Sequence, residues 1–110
     1  MISIQRLKAI RDALTPICDN VYHYWRPKMQ APYILWQETS DGSSFDADNK
    51  KAEQAISGTV DLYSKTEYDP LFDSIQEALQ GIEGLTWSFE DATFEDETGL
   101  IHHSWEWTIA

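Results

Sequence analysis

The residues of this chain best equipped for chemistry are three histidines, one cysteine and a run of carboxylates near the C-terminus. His102 and His103 are adjacent in the closing stretch IHHSWEWTIA, whose period-two alternation reads as a β-strand. Successive strand side chains point to opposite faces, so the two imidazoles diverge. His103 falls in phase with Ile101, Trp105, Trp107 and Ile109, the set expected to be buried, and His102 with Ser104, Glu106 and Thr108. A zinc site needs about four convergent ligands, and the remaining histidine, His23, lies far away in sequence. Cys18 has His23 as its nearest candidate base, but a reactive thiol needs an electropositive setting that the sequence does not supply. It reads instead as a small, largely apolar side chain in a reducing compartment, because a lone cysteine cannot form an internal disulfide. Glu90, Asp91, Glu95, Asp96 and Glu97 could hold a general acid and base. No nucleophile, phosphate loop or metal motif accompanies them, so they read as a solvated hairpin end. DADNKKAE resembles the start of a calcium loop, but Lys51 and Ser57 stand where such a loop needs glycine and glutamate. No catalytic, metal or cofactor-binding residue is assigned, and no cofactor is expected.

The elements that must position these residues follow from periodicity. SIQRLKAIRDAL places Ile4, Leu7, Ile10 and Leu14 at helical spacing, with Ser3 to cap the helix and Pro16 to stop it. VYHYW (21–25) and YILWQET (33–39) are rich in β-formers and are separated by the two-proline turn RPKMQAP, so they read as a hairpin. Residues 40–55 form a long polar loop, expected to order only on assembly. In the strand 56–66, Ile56, Val60 and Leu62 share a face with Gly58 and Ser64, while Thr59, Asp61, Tyr63 and Lys65 share the other. That polar face is expected to meet solvent or a partner subunit. Asp69 and Pro70 start a second helix with Leu71, Phe72, Ile75, Ala78, Leu79 and Ile82 as its stripe, ended by Gly81 and Gly84. LTWSFEDATF (85–94) is a strand whose alternation breaks near Asp91, where a bulge would restore the phase of Ala92 and Phe94. Trp87, Trp105 and Trp107 are core candidates; Trp25 and Trp36 are open to either a core or a stacking role. The order α-β-β-β-α-β-β implies an α+β fold, one antiparallel-rich sheet of about five strands with both helices on one face.

At 110 residues, 42% hydrophobic and 13% aromatic, the chain suits one domain, residues 1–110, with a real core. Neither a signal peptide nor a run of roughly 20 apolar residues is read from it, so a soluble, intracellularly made protein with no membrane association is expected. The formal charge of −11 comes from 19 acidic against 8 basic residues. Scattered lysines and arginines argue against tight direct nucleic-acid binding. The acidity itself reads as solubility.

Five segments in order go further: TPICDNVYHYW, APYILWQET, SSFDADNKKAEQ, GTVDLYSKTEYDPLFDSIQEAL and EDETGLIHHSWEW. Together, over residues 14–109, they resemble small tail proteins of bacteriophages and prophages, of the tail-completion or tail-terminator kind. The resemblance implies an α+β subunit of a ring, commonly a hexamer, at the head-proximal end of the tail. Its partners would be other copies of itself, the tail tube and head-completion proteins, in the host cytoplasm during assembly and then in the virion tail. It implies no active site. With that ring in view, the contact surfaces fall to the long loop and the polar strand face: Asp41, Phe45, Asp46, Asp48, Lys50, Lys51, Thr59, Asp61, Tyr63 and Lys65. An acidic lumen would repel passing DNA rather than grip it. Two other readings remain open: a different connector or minor capsid protein, and a small acidic module that mimics DNA and occupies a host protein's nucleic-acid site.

Overall fold

Apolar residues at helical spacing near the N-terminus produce a short 3-10 turn, Ile4–Leu7, that runs into α1, Lys8–Leu14. Ser3 accepts the Gln5 N–H at 3.2 Å and caps the turn. Leu7, Ile10 and Leu14 are buried, but Ile4, expected in the same stripe, is exposed. Ile2 packs against the core from this end of the chain instead. The structure, a computed structural model, describes residues 1–25, 30–42 and 54–110. The expected contact residues Phe45, Asp46, Asp48, Lys50 and Lys51, and most of the loop they belong to, lie outside the described residues.

Among the described residues five strands follow the first helix: β1 (Val21–His23), β2 (Tyr33–Asp41), β3 (Ile56–Ser64), β4 (Leu85–Glu95) and β5 (Leu100–Ile109), with α2 (Leu71–Gln80) between β3 and β4. They form one sheet in the order β1-β2-β3-β5-β4. The sheet is mixed. β2, β3, β5 and β4 pair antiparallel in turn, but β1 runs parallel to β2, with Val21 opposite Ile34 and His23 opposite Trp36. This corrects the hairpin expected for β1 and β2. Parallel neighbours usually need a crossover of a dozen or more residues. β1 is only three residues long, about 10 Å at strand rise, so the segment between the strands can return the chain to the same end. Tyr24, at φ 74°, turns it out of β1.

α2 starts one residue later than the sequence implies, at Leu71, yet Asp69 still does the capping: its carboxylate accepts the Leu71 N–H at 2.9 Å. Ser64 donates to the other Asp69 oxygen at 2.5 Å and so ties the helix start to the end of β3. Both helices then bury their stripes on the same sheet face. Leu7, Ile10, Leu14, Ile75, Leu79 and Ile82 meet Ile34, Trp36, Val60, Leu62, Trp105, Trp107 and Ile109 in one core. The expected bulge is present. Phe89 lies opposite Trp105 and Asp91 opposite Ser104, so Glu90 is the extra residue, and Ala92 and Phe94 return to the helix-side face. The chain is therefore α+β with a five-stranded mixed sheet. Among the described residues no helix is long and apolar enough to cross a membrane.

Candidate functional site

The sheet face away from the helices collects the side chains expected to be available for contact. Register places Tyr33, Tyr63 and His102 opposite one another on β2, β3 and β5. Their rings stack, Tyr33 on Tyr63 at 4.7 Å and Tyr63 on His102 at 4.2 Å, within 16° of parallel. Asp61 lies 2.8 Å from His102 Nε2, and Ser57 Oγ and Thr108 Oγ1 lie 2.6 Å apart. The face is thus an ordered ladder of aromatic and polar pairs rather than a loose solvent surface. Among the expected contact residues, the structure brings Asp61 and Tyr63 together on this ladder, and Thr59 faces the same way, opposite Gln37 and Glu106. Lys65 is exposed beyond the end of β3, and Asp41 sits at the far end of β2, opposite Ile56. These two do not join the ladder.

Sequence reasoning missed a second cluster because its members are separated by the β1–β2 connection. His23 is sandwiched between Tyr24, at 4.0 Å, and Trp36, at 3.9 Å. Its Nε2 lies 2.7 Å from Glu38 Oε1, and the Tyr24 hydroxyl donates a short hydrogen bond to the other Glu38 oxygen. Burial pushes the Glu38 carboxyl up, but the bonds to Tyr24 and His23 outweigh it, and it titrates below the usual carboxylate range. The same bond, with a lesser contribution from burial, pushes Tyr24 up. The cluster fastens the short β1 to β2 through side chains as well as backbone. The open question over two tryptophans resolves here: Trp36 is buried and Trp25 is 71% exposed.

Among the described residues Cys18 has no electropositive neighbour to activate it. Burial raises its thiol, the nearby Asp19 and Asp69 raise it further, and its sulfur contacts the Asn20 carbonyl at 3.8 Å. It is a thiol at neutral pH. His102 and His103 diverge as strand geometry requires. His103 sits on the helix side among Phe72, Phe89 and Trp105, and burial holds its basicity down. Its Nδ1 is buried without a hydrogen-bond partner among the described residues. Among those residues no three histidine, cysteine or acidic side chains converge as a metal site would require. The carboxylates of the β4–β5 hairpin bond locally, Asp91 to Thr93 at 3.2 Å and Glu95 to Thr98 at 3.1 Å, as turn-stabilising side chains do.

The net charge is segregated. Residues 1–65 carry eight basic and eight acidic side chains; residues 66–110 carry eleven acidic side chains and not one lysine or arginine. The entire excess therefore lies on α2, β4, β5 and their connections. Fold and surface together define a small α+β sheet protein with one helix-covered face and one acidic half. Compared with known proteins, the chain matches no family model and no curated protein.

Proposed function

We propose that this protein is a structural subunit of a phage virion, a tail-completion or tail-terminator ring protein that does no chemistry. The observation that carries the reading furthest is the sheet face away from the helices. Among the described residues both helices lie on one side, and the other carries Thr59, Asp61, Tyr63 and His102, each half-buried, beside the buried Tyr33. A standard interface buries about 800 Å² on each partner, and a ring subunit has two neighbours. Against a total surface of 6901 Å², that demand is roughly a quarter. Acidity fits a passage through which DNA must slide.

The decisive test is genetic. Deleting the gene from its phage or prophage should leave filled heads without joined tails, and tails that are overlong or unfinished, in electron micrographs. Normal infectious virions from the deletion would refute the assignment. The segregated charge favours a second reading, an acidic decoy for a nucleic-acid-binding protein. Such a decoy would form a tight, salt-sensitive complex with a basic protein that duplex DNA displaces, and its loss would leave virion shape unchanged.

A further inference from the structure

Among the described residues, the helix-side face of the β4–β5 hairpin is exposed at its turn end. Phe89 and Phe94 are 43% and 59% exposed there. Phe94 lies opposite Ile101 and Ala92 opposite His103. Between this end and the segment leading into α2 is a groove of about 410 Å³, with Phe72, Ile101 and His103 in its wall. Phe72 stands edge-on to both Phe89, at 5.2 Å, and His103, at 5.1 Å, so Phe89 adjoins the groove, and Phe94, opposite the lining residue Ile101, lies on the same face.

Every ionised group in the groove lining is an acid: Glu67, Asp69 and Asp73. The basic residue nearest in sequence, Lys65, is not part of the lining. β4 is also the outer strand of the sheet, so one row of its backbone groups faces outward, a template for an added strand. An aromatic floor with an exclusively acidic rim selects a cation carried on apolar surroundings. Cations lie favourably over aromatic faces, and their pairing with carboxylates gains where water is partly excluded. A purely apolar occupant would leave the acids desolvated and unpaired, and an anionic one would be repelled.

We propose that this groove and the adjoining edge of β4 dock an extended segment of a partner protein that alternates arginine or lysine with apolar side chains. The cations pair with Glu67 and Asp73, the apolar side chains pack on Phe89 and Phe94, and the backbone adds to β4. Asp69 is already engaged as the α2 cap, so it contributes field rather than a direct bond. The inference goes beyond the ring reading and does not depend on it: it stands on shape and charge alone.

The test uses the full chain and a fluorescein-labelled peptide alternating arginine and leucine. Two controls replace arginine by glutamate or leucine by serine. Fluorescence anisotropy should show binding of the arginine–leucine peptide and none of the glutamate–leucine one. The arginine–serine peptide should bind at least about tenfold more weakly, since it loses the apolar contacts. Amide shifts should concentrate on β4 and the α2 start. Phe94→Ser and, independently, Asp73→Asn should each weaken binding by about fivefold to tenfold, with the native fold kept in circular dichroism because both side chains are exposed. Equal binding of the arginine–serine peptide would overturn the proposal in favour of plain charge attraction. Absence of binding, or shifts confined to the Tyr33–Tyr63–His102 face, would overturn it as well. So would concentration-dependent self-association abolished by Phe94→Ser, which would make a second copy the occupant.

Discussion

Trp107 lies across Gly58 on the neighbouring strand, and a side chain there has nowhere to go. A Cβ at Gly58 would overlap the Trp107 ring and the Gln37 carbonyl. Gly99 is the opposite case: its φ of 70° favours glycine, but the space around it is open. Gly58→Ala should therefore destabilise by overpacking, about 1–3 kcal/mol. Gly99→Ala should cost about 1 kcal/mol, from left-handed strain alone. Urea unfolding of the two variants checks the ranking, and an equal or reversed order contradicts it. Trp107→Ala should cost more than either, about 3–5 kcal/mol, the usual loss for a fully buried aromatic. At Glu38 the expectation concerns pH. Its carboxyl titrates lower in the folded chain than in an unfolded one, so its contribution is present above the ordinary carboxylate range and fades as pH falls through the folded value. Glu38→Ala should thus lower the melting temperature at neutral pH, and the gap from the native sequence should narrow below about pH 4. A gap that widens on acidification would show that Glu38 is not the group responsible.

The elements were legible wherever a period ran long enough to be unambiguous. The β5 alternation fixed which face Trp105 and Trp107 occupy, and the break at Asp91 located the bulge, because each is a local consequence of strand geometry. The direction of β1 was not legible. VYHYW has the same β-forming composition whichever way it pairs, and the choice rests on backbone bonds such as Ile34 N–H to the Asn20 carbonyl at 2.8 Å. The same limit hid the aromatic ladder. Tyr33, Tyr63 and His102 are separated by whole elements and become neighbours only through register. Docking of α2 belongs to this scale too. Gln76 and Gln80, one turn apart, accept the indole N–H groups of Trp105 at 3.1 Å and Trp87 at 2.9 Å, so two polar side chains key the helix to β5 and β4. Gln76→Leu should strand the buried Trp105 donor and cost about 1–3 kcal/mol. Gln80→Leu, at an exposed contact, should cost clearly less. Thermal unfolding distinguishes them, and equal losses would mean that the indole bonds do not govern the docking.

At the scale of the whole molecule the dominant feature is that residues 66–110 hold eleven acidic side chains and no lysine or arginine. Paired charges distributed evenly would make stability nearly indifferent to salt, because attractions and repulsions are screened alike. Here repulsion is concentrated on α2, β4, β5 and their connections, while the pair of Arg11 with Asp12 at 2.9 Å lies elsewhere and is exposed, where it contributes little. Screening therefore removes more repulsion than attraction. The Debye length falls from about 10 Å at 0.1 M to about 3 Å at 1 M salt, which spans the separations between neighbouring carboxylates on one strand face. Raising sodium chloride over that range should stabilise the native chain by about 1 kcal/mol, or roughly 4 °C or more in melting temperature. Sodium chloride is the right probe because sulfate and phosphate also strengthen burial by exclusion from the surface. The same titration on a variant with Glu90, Glu95 and Glu97 changed to glutamine should start from a higher melting temperature and respond less. If the native chain instead loses stability with salt, attraction outweighs repulsion across the fold. The acidic half is then internally compensated rather than poised for a cationic partner.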